Sequence, residues 1–211
     1  MVVLGSGGHT AEMLLMLQRA EVGMQRWARR TWVVSSGDGF SAGLAAEFEE
    51  RLGREGAKDK IGEKRFDVVE LPRARKVHQS LLTAPVTSLI CLFAALKTLR
   101  SSPPDIILTN GPGTGVIIVL ASLILRFVCL GNSWKMRCVY VESLARCKTL
   151  SLSGRLLKPV VDRVLVQWKE LEDGRAEFKG CFALDAAMAV GLDGVKDDSA
   201  VDRRTWITYE L

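Results

Sequence analysis

Short apolar runs alternate along this chain with segments of helical length. Met1-Val2-Val3-Leu4 and Ile106-Ile107-Leu108 offer no polar face, as expected of strands covered by helices on both sides. Strands are predicted at Met1–Leu4, Thr31–Ser35, Phe66–Leu71, Ile106–Thr109, Arg137–Val141 and Val164–Val166. Between them, helices fit Thr10–Arg19, Ser41–Gly53, Leu81–Leu99, Gly115–Phe127 and Ser153–Val161. This alternation predicts an α/β fold with a doubly wound, mainly parallel sheet over residues 1–168, its ligands beyond the C-terminal strand ends. From Lys169 the character changes: Gly174, Gly180, Gly191 and Gly194 accumulate, with Lys196-Asp197-Asp198. Residues 169–211 are therefore expected to form a weakly structured C-terminal appendage.

At 211 residues, 48% apolar and 25% charged, the chain can fill one core and is not of disordered composition. Cys91, Cys129, Cys138, Cys147 and Cys181 form no C-x-x-C pair, which suggests reduced thiols in a chain facing the cytosol. With only His9 and His78, a histidine-based metal cluster is not available; neither a metal nor a cofactor is expected. The net charge of +5 is unevenly placed: residues 1–168 carry 23 basic and 14 acidic side chains, residues 169–211 carry 6 and 10. A basic body suits phosphates or an acidic lipid surface. Nucleic acid is not expected as a partner, since no basic stripe is interleaved with aromatics.

Because a strand-like run starts beside Met1, neither a signal peptide nor an N-terminal span is expected. Gly115–Leu125 is apolar but closed by Arg126, short of the ~20 residues of a spanning helix. Leu81–Leu99 is interrupted by Thr83, Pro85, Thr87 and Ser88. Both are expected to cover the sheet without spanning; the alternative is that one of them also rests on a bilayer surface.

Three loops carry candidate chemistry. Gly5-Ser6-Gly7-Gly8-His9-Thr10 follows the first strand and opens the first helix, where glycines admit a close ligand and unpaired amides favour an anion. A phosphate or diphosphate site is the reading preferred over a turn that merely packs. Thr10 stands where a dinucleotide fingerprint needs its third glycine, and Ser35-Ser36 replaces the acid that would grip a ribose, so an oxidoreductase is disfavoured. Asn110-Gly111-Pro112-Gly113-Thr114-Gly115 repeats the strand, loop and helix-start arrangement, and the two turns could converge on one anion. Tyr140-Val141-Glu142-Ser143 ends the fifth strand; Glu142 could bond a sugar hydroxyl, orient a base, or simply cap the loop or pair with Arg146. Arg75, in Arg73-Ala74-Arg75-Lys76-Val77-His78, is a candidate phosphate or head-group contact unless that cluster is only a solvated face.

Those blocks, with Ala11-Glu12-Met13-Leu14, Thr149-Leu150-Ser151-Leu152-Ser153-Gly154 and Val164-Leu165-Val166-Gln167-Trp168, resemble a known family over about residues 1–168. It is the family of membrane-anchoring subunits of the two-subunit N-acetylglucosaminyltransferase of dolichol-linked oligosaccharide synthesis. The resemblance implies a Rossmann-like domain, the N-terminal half of a GT-B enzyme, akin to the bacterial lipid I N-acetylglucosaminyltransferase. It further implies a site on the cytosolic face of the endoplasmic reticulum membrane and a separate cytosolic subunit that binds UDP-N-acetylglucosamine. Together the two would add the second N-acetylglucosamine, β1,4-linked, to N-acetylglucosaminyl-diphospho-dolichol, with inversion. Length agrees, since a two-lobed enzyme of this type needs roughly twice this chain; no activity is expected from it alone.

In that setting Gly5, Ser6, Gly7, Gly8, Thr10, Asn110, Gly111, Gly113, Thr114 and Arg75 are the expected diphosphate and acceptor contacts. His9 is the expected base or a phosphate contact, with Glu142 the rival base. The alternative is a non-catalytic membrane scaffold that docks the donor-binding subunit.

Overall fold

The computed structural model describes residues 1–19, 27, 29–55, 66–75, 79, 83–128 and 136–180. His78, Cys129 and Cys181 lie outside these, as do residues 81–82 of the third predicted helix. In chain order the elements are β1 (Val2–Val3), α1 (Gly8–Arg19), β2 (Arg30–Ser35), α2 (Gly39–Glu55), β3 (Phe66–Leu71), α3 (Ala84–Ser101) and β4 (Ile106–Thr109). There follow α4 (Thr114–Phe127), β5 (Arg137–Val141), α5 (Leu152–Leu157), β6 (Arg163–Val166), a 3₁₀ turn (Lys169–Leu171) and β7 (Ala176–Phe178).

All pairings are parallel, and the seven described strands run in the order β3-β2-β1-β4-β5-β6-β7. The period-2 alternation of strand side chains divides the core into two layers. Val2, Leu4, Trp32 and Val34 meet α1 and α2 through Met13, Leu17, Phe48 and Leu52. Val3, Val33, Ile107, Cys138 and Tyr140 face the other way, onto Leu99, Ile118, Val119 and Leu157 of α3, α4 and α5. A buried ion pair, Arg30 Nε to Glu49 Oε1 at 2.7 Å, pins α2 to β2, and the Trp32 indole donates to the same carboxylate.

Two elements depart from the sequence expectation. The last predicted helix is short: Ser151 caps it, its Oγ accepting from the Gly154 amide at 2.9 Å, but it ends at Leu157 before Pro159, which cannot continue it. The sheet also extends beyond Trp168. β7 pairs with β6 inside the segment expected to be weakly structured, and Leu171 and Ala176 join the core. A three-residue edge strand carries too little periodicity to stand out in sequence.

β1 and β4 are sheet neighbours although their crossovers leave toward opposite sides. That junction is the topological switch point, where a parallel sheet opens a crevice at its C-terminal edge. The two glycine loops follow these two strands.

Candidate functional site

The loop after β1 turns at Gly7, whose φ of +62° is in the left-handed region, and at once begins α1. Ser6, Gly7 and Gly8 are exposed, and a Cβ on Gly7 or Gly8 would meet nothing within 4 Å. The Thr10 and Ala11 amides bond the Gly7 carbonyl, whereas those of Gly8 and His9 lack intrahelical acceptors by position, at the positive end of a helix dipole.

The loop after β4 lies directly against it. A Cβ on Gly111 would fall 3.1 Å from the Gly5 Cα, and one on Gly5 would fall 3.2 Å from the Gly111 Cα and 2.6 Å from the His9 Cβ. Only two glycines permit that backbone approach. Asn110 fastens it, donating from Nδ2 to the His9 carbonyl at 2.7 Å. Asn110 is 1% exposed, and its Oδ1 has no partner among the described residues. Gly113, at φ +69°, turns the exposed tip, and Ala74 lies 3.8 Å from where its Cβ would be.

Several predicted contact residues hold the loops instead of facing a ligand. Thr10 is fully buried, donating to the Gly5 carbonyl and pairing with Ser41 Oγ at 2.8 Å. Thr114 is buried against Ser35, hydroxyl to hydroxyl at 3.1 Å. Arg75 is exposed on the segment after β3, and its Nη2 donates to the Gln79 carbonyl at 3.1 Å. Its neighbour Arg73 ties that segment to the β2 loop through the Ser36 carbonyl at 3.0 Å.

Glu142 is the clearest reassignment. It is 1% exposed, and its carboxylate accepts from the amides of Ser143 at 3.1 Å and Ser151 at 2.9 Å, and from the Ser151 hydroxyl at 3.1 Å. The Tyr140 phenol, pushed up by burial and by the Glu142 charge, adds a longer contact at 3.4 Å. Gly154 is needed here because a Cβ would run into Oε2. A carboxylate enclosed in this way folds the 142–151 loop and is shielded from an acceptor hydroxyl. Gly154→Ala is accordingly expected to destabilise the protein by about 1–3 kcal/mol through overpacking, read as a lowered Tm.

His9 is different. Its side chain is 33% exposed, at the junction of the two glycine loops. Its Nδ1 is buried and points toward Glu12, 3.8 Å from Oε2. Glu12 is itself buried and binds three further groups: the Leu144 amide, the Ser143 hydroxyl at 3.1 Å and the Gln167 side-chain amide. Burial pushes the Glu12 carboxyl up, but His9, Leu144, Ser143 and Gln167 together outweigh it and hold the carboxyl below its ordinary value. The sequence reading gave Glu12 and Gln167 no role. A signal was present, since Glu12 stands three residues after His9 and so on the same helix face.

The sequence matches a family model described as oligosaccharide biosynthesis protein Alg14 like over residues 1–182. It is 41% identical to the UDP-N-acetylglucosamine transferase subunit ALG14 of Yarrowia lipolytica, over 85% of this chain and 79% of that protein. The Schizosaccharomyces pombe subunit of the same name is 42% identical, over 87% and 82%, and that of Mus musculus 34%, over 82% and 76%. In three dimensions the chain is similar to Acinetobacter baumannii MurG, with a TM-score of 0.54 and 14% identity, over 83% of this chain and 42% of MurG. That likeness is one of fold, and it agrees with the doubly wound, Rossmann-like architecture. On the family match and on identity sustained over most of its length, the chain belongs to the Alg14-like family of oligosaccharide biosynthesis proteins.

Proposed function

We propose that this protein is the acceptor-side subunit of a two-component UDP-N-acetylglucosamine transferase. It holds N-acetylglucosaminyl-diphospho-dolichol while a separate cytosolic subunit binds the sugar nucleotide, and it brings that subunit to the cytosolic face of the endoplasmic reticulum membrane. The observation that carries this reading is the backbone contact of the Gly5 and Gly111 turns at the switch point, with His9 at their junction. Exposed amides at Gly7 and Gly8 suit a diphosphate. His9 takes the proton from the acceptor 4-hydroxyl as its oxygen attacks the anomeric carbon and UDP leaves, which inverts that centre. The names of the relatives support the donor class.

The lipid part of the acceptor accords with α3. Its buried side, Cys91, Ala95 and Leu99, packs on the core, while Val86, Leu89, Ile90 and Phe93 are exposed at i, i+3, i+4 and i+7 spacing. With 18 residues and a mean hydropathy of 1.2, α3 is long and apolar enough to cross a bilayer; its packing against the sheet favours a helix lying on the surface. The double substitution Leu89→Glu, Phe93→Glu should leave the Tm nearly unchanged and lower co-sedimentation with phosphatidylcholine–phosphatidylserine vesicles by about tenfold or more.

The test of function is co-expression with the cognate donor-binding subunit and an assay of transfer to a diphosphate-lipid acceptor. Transfer by the pair and none by this chain alone is expected. Transfer by this chain alone, or full transfer by the pair when the chain carries Gly5→Ala, would overturn the reading.

A further inference from the structure

The contacts of Glu12 exceed what a helix-anchoring carboxylate requires. Three donors from two segments, the Ser143 hydroxyl and Leu144 amide of the loop after β5 and the Gln167 side-chain amide after β6, hold it in place on α1. The remaining direction of Oε2 faces His9 Nδ1 at 3.8 Å, an ion-pair separation longer than a hydrogen bond. That nitrogen is buried and has no hydrogen-bond partner among the described residues. Nε2 is then the ring nitrogen left to meet a ligand.

We infer that Glu12 is the positioning residue of His9, holding its ring in the Nδ1–H tautomer and stabilising the imidazolium formed when Nε2 accepts a proton. This rests on the reading of His9 as the base. The physical need is specific to the place. His9 lies in the first turn of α1, where the helix dipole opposes positive charge, and an anion one turn along the same face offsets that opposition. A carboxylate at Nδ1 also fixes which nitrogen carries the lone pair. Tyr140 feels the Glu12 charge from the other face of the sheet, but burial and Glu142 push its phenol up, and the Glu142 carboxylate, just after β5, is taken up by the Ser143 and Ser151 amides.

Glu12→Gln isolates this role. Its side-chain carbonyl can still accept from Leu144 and Gln167, whereas its NH₂ group would donate to Nδ1 and leave the proton on Nε2. In the reconstituted complex kcat should fall on the order of 10- to 100-fold with little change in acceptor KM, and the acid limb of kcat/KM should move to lower pH. Ser143→Ala removes one bond to the same carboxylate but leaves the imidazole pair, so its acid limb should stay in place. A folded Glu12→Gln protein with wild-type kcat and pH profile, beside an inactive His9→Ala, would overturn the role of Glu12 and leave the base standing. Full activity of His9→Ala would overturn both. Should Glu12→Gln fail to fold, ¹⁵N spectra of the ring nitrogens in the wild-type complex still decide: the Nδ1–H tautomer at His9 is expected, and the Nε2–H tautomer contradicts it.

Discussion

Gly5→Ala is expected to lower turnover by the reconstituted transferase about 10²-fold or more while the sheet remains folded. The added methyl group would stand 2.6 Å from the His9 Cβ and 3.2 Å from the Gly111 Cα, distances that real Cβ atoms reach only by moving a neighbour. Neither neighbour is the loose end of a flexible side chain, so the two turns part and the imidazole shifts with them. Displacement of a reacting group by roughly 1 Å can cost about 10²-fold in rate. Gly43→Ala on α2 is the matching control, because its Cβ meets nothing within 4 Å. Steady-state kinetics with far-UV circular dichroism separates loss of activity from loss of structure. Wild-type turnover in Gly5→Ala would mean that the contact of the turns is irrelevant to transfer.

His9→Ala is expected to reduce kcat by roughly 10²-fold or more at saturating acceptor, the usual contribution of a positioned general base. The acid limb of the pH–rate profile should disappear with it, because the group whose protonation silences the enzyme is gone. The competing role, a phosphate contact, has a different signature. Loss of a ground-state contact would raise the acceptor KM and leave kcat nearly intact. Varying the acceptor across pH for both proteins distinguishes these outcomes, and unchanged kcat would remove His9 from the chemistry.

Apolar periodicity carried most of the fold. Phe66–Leu71, Ile106–Thr109 and Arg137–Val141 lie where the sequence places them: the inner strands β4 and β5 show near-continuous apolar runs, and the edge strand β3 keeps its β-branched Val68-Val69 between Asp67 and Glu70. The edge strand Ala176–Phe178 was not legible: it is three residues long and joined to the sheet on one side only. The site divides in the same manner. Glycine spacing announced both turns, and the sheet order then set them side by side. Which polar side chains face outward was hidden. Thr10, Thr114 and Glu142 are ordinary candidates by type and position, yet each is buried against a partner: Ser41 and Ser35 from distant segments for the two threonines, and Ser151 of its own loop for Glu142. Glu12 was overlooked for the opposite reason, because three of its partners lie more than a hundred residues away.

The most direct measurement is a titration of the ¹⁵N-glycine-labelled complex with a short-chain N-acetylglucosaminyl-diphosphate lipid, followed by amide NMR. Gly7, Gly8 and Gly113 should shift together along a single saturation curve, because the two turns close on one pyrophosphate. Saturation that perturbs one turn and leaves the other unchanged, or that leaves both untouched, would contradict a shared diphosphate site.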